Sequence, residues 1–135
     1  MRTFKKAVIG FVSAAALTVG MAGTASAGSY NGVCESAGGG EACLYYTYSY
    51  DGWVYDTLYS KPSYTGTYYG TETPINDTVG AVWNRDPDSS LKLFTGANYT
   101  GSVKVVAGGG KFNTLGTGFA NAFSSHCFSS NAGCP

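Results

Sequence analysis

Leu44, Tyr46, Tyr48 and Tyr50 alternate with Tyr45, Thr47, Ser49 and Asp51, a period of two that predicts a half-buried strand. Asp51-Gly52 supplies a turn, and Trp53-Val54-Tyr55 returns as the second arm of a hairpin. Residues 79–83 and 91–94 predict two further short strands on either side of the polar break Asn84-Arg85-Asp86-Pro87-Asp88. Residues 103–106 predict another, closed by Gly108-Gly109-Gly110. No long stretch carries an apolar period near 3.6, and the bulky residues are mostly Tyr, Phe, Trp, Val and Thr, which favour strands. Short strands with turn signals about every ten residues indicate an all-β sandwich or Greek-key fold.

The start of the chain follows a different rule. Arg2, Lys5 and Lys6 precede an apolar stretch over residues 7–23, and Ala25-Ser26-Ala27 follows with small residues where a signal peptidase selects them. This order predicts a bacterial-type signal peptide over residues 1–27, cleavage after Ala27, and an exported, extracellular domain over residues 28–135. Three of the eight basic residues leave with that segment, so the remainder carries five against eight acids, a net charge of about −3. An acidic domain without a basic cluster points away from nucleic acid and from anionic membrane. A single domain that acts as a monomer is expected.

Cys34, Cys43, Cys127 and Cys134 are an even set in an exported chain and predict two disulfides. Three pairings are open. The local pairs Cys34–Cys43 and Cys127–Cys134 are favoured because each closes a short loop beside one end of the domain. Each would contribute roughly 2–3 kcal/mol by loop closure. A shared metal site would need a closer ligand spacing than either pair offers.

The most informative pattern is a repeat. Tyr45, Tyr50 and Gly52 share an aromatic-x4-aromatic-x-Gly spacing with Phe94, Tyr99 and Gly101, and a leucine precedes each copy at Leu44 and Leu93. Each copy is followed by a polar-to-apolar segment, residues 76–81 and 120–125. The spacing predicts a hairpin folded over on itself, with glycine taking a backbone conformation other residues resist and the aromatics covering the bend. Tyr59, Tyr64 and Gly66 fit the same spacing by chance in a tyrosine-rich stretch.

This doubled pattern resembles the βγ-crystallin double Greek key. Taken with the export signal, Gly32-Val33-Cys34, Cys43-Leu44-Tyr45-Tyr46, the segment over residues 76–84 and Leu93-Phe94 to Gly101, it resembles more closely the secreted bacterial peptidase inhibitor family I36, which shares that fold. The resemblance implies a rigid protein that blocks a secreted peptidase, with a metallopeptidase inhibitor as the family's type example. A preordered loop loses little entropy on docking. The resemblance names no inhibitory loop, because no stretch matches a reactive-site motif. The alternative is a non-inhibitory βγ-crystallin module with a structural, calcium-binding or ligand-binding role.

Calcium sites of the crystallin type take hard oxygen ligands from the polar segments. Asn76 and Asp77 in the first copy and Asn121 and Ser124 in the second fit that chemistry, but Gly80-Ala81 and Ala120 stand where further ligands belong. No cofactor is otherwise implied. His126, the single histidine, neighbours Ser124, Ser125 and Cys127. On a strand Ser125 and His126 would point to opposite faces, so no nucleophile–base pair is expected and the chain does not read as an enzyme. The tyrosines of residues 45–69, with Trp53 and Trp83, are expected to build core and cover bends rather than form a stacking platform. Asn76 and Asn98 head glycosylation triplets that the fold motifs already claim.

Overall fold

The computed structural model describes residues 28–135; the predicted leader and its cleavage site lie outside the described residues. Among the described residues, seven strands form two antiparallel sheets. In chain order they are β1 (Ala42–Tyr45), β2 (Val54–Thr57), β3 (Ala81–Asn84), β4 (Leu91–Gly96), β5 (Thr100–Val106), β6 (Lys111–Asn113) and β7 (Ser125–Phe128). One sheet runs β2-β1-β3-β6 and the other β5-β4-β7.

The two halves of the chain exchange their third segments. β6, from the second half, pairs with β3 of the first. Reciprocally, Lys61 from the first half bridges His126 on β7, through Lys61 N to His126 O at 2.8 Å and His126 N to Lys61 O at 3.0 Å. The turns between the halves also correspond. Gly80 N donates to Tyr45 O at 2.7 Å, and Ser124 N donates to Phe94 O at 2.9 Å. Asp77 N donates to Phe123 O at 3.1 Å, and Asn121 N to Val79 O at 3.2 Å. These matched bonds describe a pseudo-twofold pair of Greek keys, each completed by a piece of the other.

The core lies between the sheets, where Leu44 and Val82 from one meet Leu91, Leu93 and Phe128 from the other, with Phe123 filling the space between the halves. A second, smaller cluster covers the outer face of the first sheet, built from Cys43, Tyr45, Val54 and Ala81 and closed over by Cys34, Tyr50 and Trp83. That second layer is why all four residues of β1 are buried. The alternation read from Leu44 to Asp51 therefore overstates the strand: β1 ends at Tyr45, and residues 46–53 form the folded-over turn. β1 is covered on both faces, so a period of two has nothing to report there.

The hairpin expectation is realised in both copies. Tyr50 and Tyr99 take left-handed conformations (φ 60° in each), followed by Gly52 at φ 76° and Gly101 at φ 82°. The rings of Tyr45 and Tyr50 lie 6.0 Å apart and those of Phe94 and Tyr99 5.7 Å apart, covering each bend. A side chain at Gly101 would sit 2.5 Å from Thr95 Oγ1, so close approach as well as φ requires glycine. The third spacing match builds no such hairpin: Tyr59 is exposed, while Tyr64 is buried against His126.

Both favoured disulfides are present, Cys34–Cys43 and Cys127–Cys134. The first fastens the segment before β1 to the outer face of the sheet. Asp56, fully buried on β2, completes the attachment by accepting the amides of Asn31 at 2.8 Å and Gly32 at 2.9 Å. No helix among the described residues is long and apolar enough to cross a membrane.

Candidate functional site

The pseudo-symmetry brings the two polar segments to one cleft between the halves. Tyr46, Tyr48, Asp77, Thr78 and Asn121 line a cavity of about 260 Å³. Asp77 (φ 56°) and Asn121 (φ 53°) occupy equivalent left-handed positions, which Asp and Asn tolerate better than most residues. Ser124 Oγ donates to Asp77 Oδ1 at 3.3 Å, Asn76 Nδ2 to Asp77 Oδ2 at 2.9 Å, and Asn121 Nδ2 to the Tyr48 hydroxyl at 3.3 Å. Asn76, Asp77, Asn121 and Ser124, read from the sequence as two separate half-sites, are thus brought to one region, with Ser124 of the second copy bonded to Asp77 of the first.

Their chemistry fits calcium poorly. Calcium takes six to eight oxygens, with carboxylates carrying most of the affinity. Asp77 is the one carboxylate lining the cleft, and both its oxygens already accept hydrogen bonds from neighbours. Among the described residues no group of three or more His, Cys, Asp or Glu side chains converges. The hydrogen bonds tie the two halves together, which is the structural role such turn residues commonly play.

His126 sits in the core with no accessible surface. Its Nδ1 lies 2.9 Å from the Tyr64 hydroxyl and its Nε2 3.0 Å from Tyr59 O. A carbonyl only accepts, so Nε2 carries the proton and Nδ1 accepts from Tyr64. Burial, with the Lys61 charge adding to it, lowers the imidazole's pKa to about 4, outweighing the Tyr59 hydrogen bond. A neutral histidine with both nitrogens occupied is a staple between the exchanged segment and β7. Ser125 points the other way, its Oγ donating to Gly96 O at 2.6 Å and accepting Tyr99 N at 3.1 Å. Ser125 thereby pins the left-handed Tyr99 of the second hairpin, a role its place in the sequence did not announce.

The aromatic stretch divides. Tyr45, Tyr64 and Tyr68 enter the two clusters. Tyr46, Trp53 and Tyr69 remain 44–47% exposed, with Tyr46 and Trp53 in contact at 5.2 Å between ring centres. Sequence reading also missed Glu41, which has no accessible surface. Its Oε2 accepts Glu35 N at 2.8 Å, but Oε1 has no partner. Burial raises its pKa to about 7, against the lowering effect of the Glu35 amide.

The fold has solved counterparts. A βγ-crystallin from an archaeon superposes with a TM-score of 0.51 at 18% identity, covering 65% of this chain and 95% of its own. A structure solved in work on the evolution of the eye-lens βγ-crystallin domain fold gives a TM-score of 0.61 at 17% identity, covering 74% of this chain and 95% of its own. At that identity the likeness concerns the fold alone, an all-β βγ-crystallin architecture. No curated protein matches the chain. The sequence model of peptidase inhibitor family I36 matches residues 30–106, more than half of the chain, spanning the first Greek key and the start of the second. That match shows the family: its members are non-enzymatic proteins whose partners are peptidases, and the chain belongs to peptidase inhibitor family I36.

Proposed function

We propose that the protein is exported, loses residues 1–27, and inhibits a metallopeptidase by binding rigidly to its cleft. The I36 match over residues 30–106 carries this reading. Two disulfides in a chain with a leader-like start support an oxidising, extracellular destination. Rigidity supports inhibition by binding, because a surface ordered beforehand loses little entropy on association. Here the segment leading into β1 is held by Asp56 at Asn31 and Gly32, by the Cys34–Cys43 disulfide and by the Glu41–Glu35 hydrogen bond. Titrating residues 28–135 against a thermolysin-like metallopeptidase and a subtilisin-like serine peptidase tests it. Loss of metallopeptidase activity at stoichiometric protein is expected, and activity unchanged at micromolar protein refutes it.

A second reading, a calcium-binding crystallin module, draws on the convergence of Asp77, Asn76, Asn121 and Ser124 on one cleft. With a single carboxylate, affinity no tighter than the millimolar range is expected, and calorimetric titration with calcium chloride distinguishes the readings.

A further inference from the structure

The outer face of the first sheet carries two cations drawn to one ring. Lys111 Nζ lies 3.7 Å from the centre of Trp83 and the Arg85 guanidinium carbon 4.2 Å from it, with Tyr50 5.2 Å from the same lysine. The pairing register explains the convergence, since Trp83 on β3 stands opposite both Cys43 on β1 and Lys111 on β6. Arg85 follows two residues later on the same side of the chain. Both charges lie within about 4 Å of one ring, so they are within about 8 Å of each other and repel inside the Debye length of ~10 Å. The indole offsets part of that repulsion by cation–π attraction.

Three acids of this region are engaged elsewhere. Asp56 and Glu41, the acids on the neighbouring strand and turn, are buried and hold backbone amides. Asp86, next to Arg85, accepts the amides of Asp88 and Ser89 within its own turn. Arg85 Nε is itself buried without a hydrogen-bond partner, so only the terminal amino groups of the guanidinium are left to meet an external acceptor. The rigid loop lies directly alongside. Gly40 packs so tightly that a side chain there would come within 2.2 Å of Arg85 O, and Arg85 N donates to Glu41 O at 2.7 Å. On residues 28–135, of net charge about −3, two cations gathered on one indole beside a disulfide-tied loop are a local exception.

We infer that this face, with Arg85 and Lys111 flanking Trp83, is where the protein docks its partner, and that it receives a carboxylate side chain from the partner's surface. Arg85 offers a planar fork suited to a carboxylate, Lys111 a second positive charge, and Trp83 an apolar floor that excludes water from the pair. That the partner is a peptidase rests on the function proposed above; the carboxylate recognition does not.

Two measurements keep the ideas separable. In a Trp53→Phe background, Trp83 is the only tryptophan and its fluorescence reports the face. Titration with hexaglutamate at low salt should give a saturable change, abolished by Arg85→Gln with Lys111→Gln and by 0.5 M NaCl, but kept by Lys104→Gln. Lys104 covers Phe112 instead and serves as the control cation. In the peptidase titration, the charge-reversed Arg85→Glu, Lys111→Glu protein should bind at least about tenfold more weakly than the parent. Near-UV circular dichroism verifies the fold of each variant. Equal inhibition by a folded double variant overturns the docking assignment, as does loss of the hexaglutamate response in Lys104→Gln. A stronger, salt-sensitive response to oligothymidylate than to hexaglutamate overturns the carboxylate assignment. A hexaglutamate response in a protein that inhibits no peptidase refutes the inhibitory function and leaves the carboxylate site standing.

Discussion

Acid should weaken this fold through one residue. In the unfolded chain His126 binds a proton near its ordinary pKa of 6.5; in the folded protein burial postpones that to about 4. The folded pKa is the depressed one, so the stabilising contribution is complete above pH 6.5. It is lost as pH falls between 6.5 and 4, and it levels off below. Each tenfold weakening of proton affinity corresponds to about 1.4 kcal/mol, so the loss between pH 7 and pH 4 approaches about 3 kcal/mol. The structural reason is that a protonated Nδ1 would face the Tyr64 hydroxyl as a second donor, inside the core and without a carboxylate nearby. Urea unfolding of residues 28–135 at pH 7, 5.5 and 4, for the parent and for His126→Gln, isolates this contribution from the ordinary carboxylates. The parent should lose about 3 kcal/mol more than the variant between pH 7 and 4. A difference between the two proteins that does not change with pH would refute the assignment of a neutral, doubly hydrogen-bonded imidazole.

Glu41 acts in the opposite sense. Its folded pKa of about 7 exceeds the unfolded value of 4.5, so its contribution is complete below pH 4.5 and lost as pH rises through 7. Glu41→Gln should therefore gain stability relative to the parent as pH rises from 5 to 8, by denaturant unfolding. Asp56→Ala leaves two amides without acceptors under the segment before β1, and should cost about 2–4 kcal/mol. Faster hydrogen exchange at Asn31 and Gly32 would locate the damage. Gly40→Ala, at φ 92° and against Arg85 O, should lower the melting temperature and weaken peptidase binding together. Asp77→Ala removes the acceptor of Asn76 and Ser124 at a left-handed position, so it should lower the melting temperature in calcium-free buffer and abolish any heat on calcium titration.

The features legible in the sequence were those in which one short segment contains its own cause. The Tyr45–Tyr50–Gly52 and Phe94–Tyr99–Gly101 spacings announced two folded hairpins because the left-handed residue and its covering ring lie within eight positions of each other. The disulfides were legible because each closes a local loop. The exchange of Lys61 and β6 between the sheets left no periodic trace, since three residues or a single bridge carry it. The burial of both faces of β1 was equally silent, and alternation beyond Tyr45 suggested strand where the chain turns. Asn76, Asp77, Asn121 and Ser124 could be singled out from the repeat, though not their meeting across the two copies, which the packing of the halves decides. The cations at Trp83 could not be, because Arg85 and Lys111 meet only through the β3–β6 pairing.

Inhibition by a rigid, chemically unchanged protein can be read from an active-site titration. A metallopeptidase of known active concentration is mixed with increasing amounts of residues 28–135, residual hydrolysis of a small peptide substrate is followed, and the inhibitor's intact mass is recorded afterwards. Activity should fall linearly to a one-to-one end point, with the mass of the inhibitor preserved. Undiminished hydrolysis at micromolar protein, or loss of activity only while the protein is itself degraded as a competing substrate, would contradict the account.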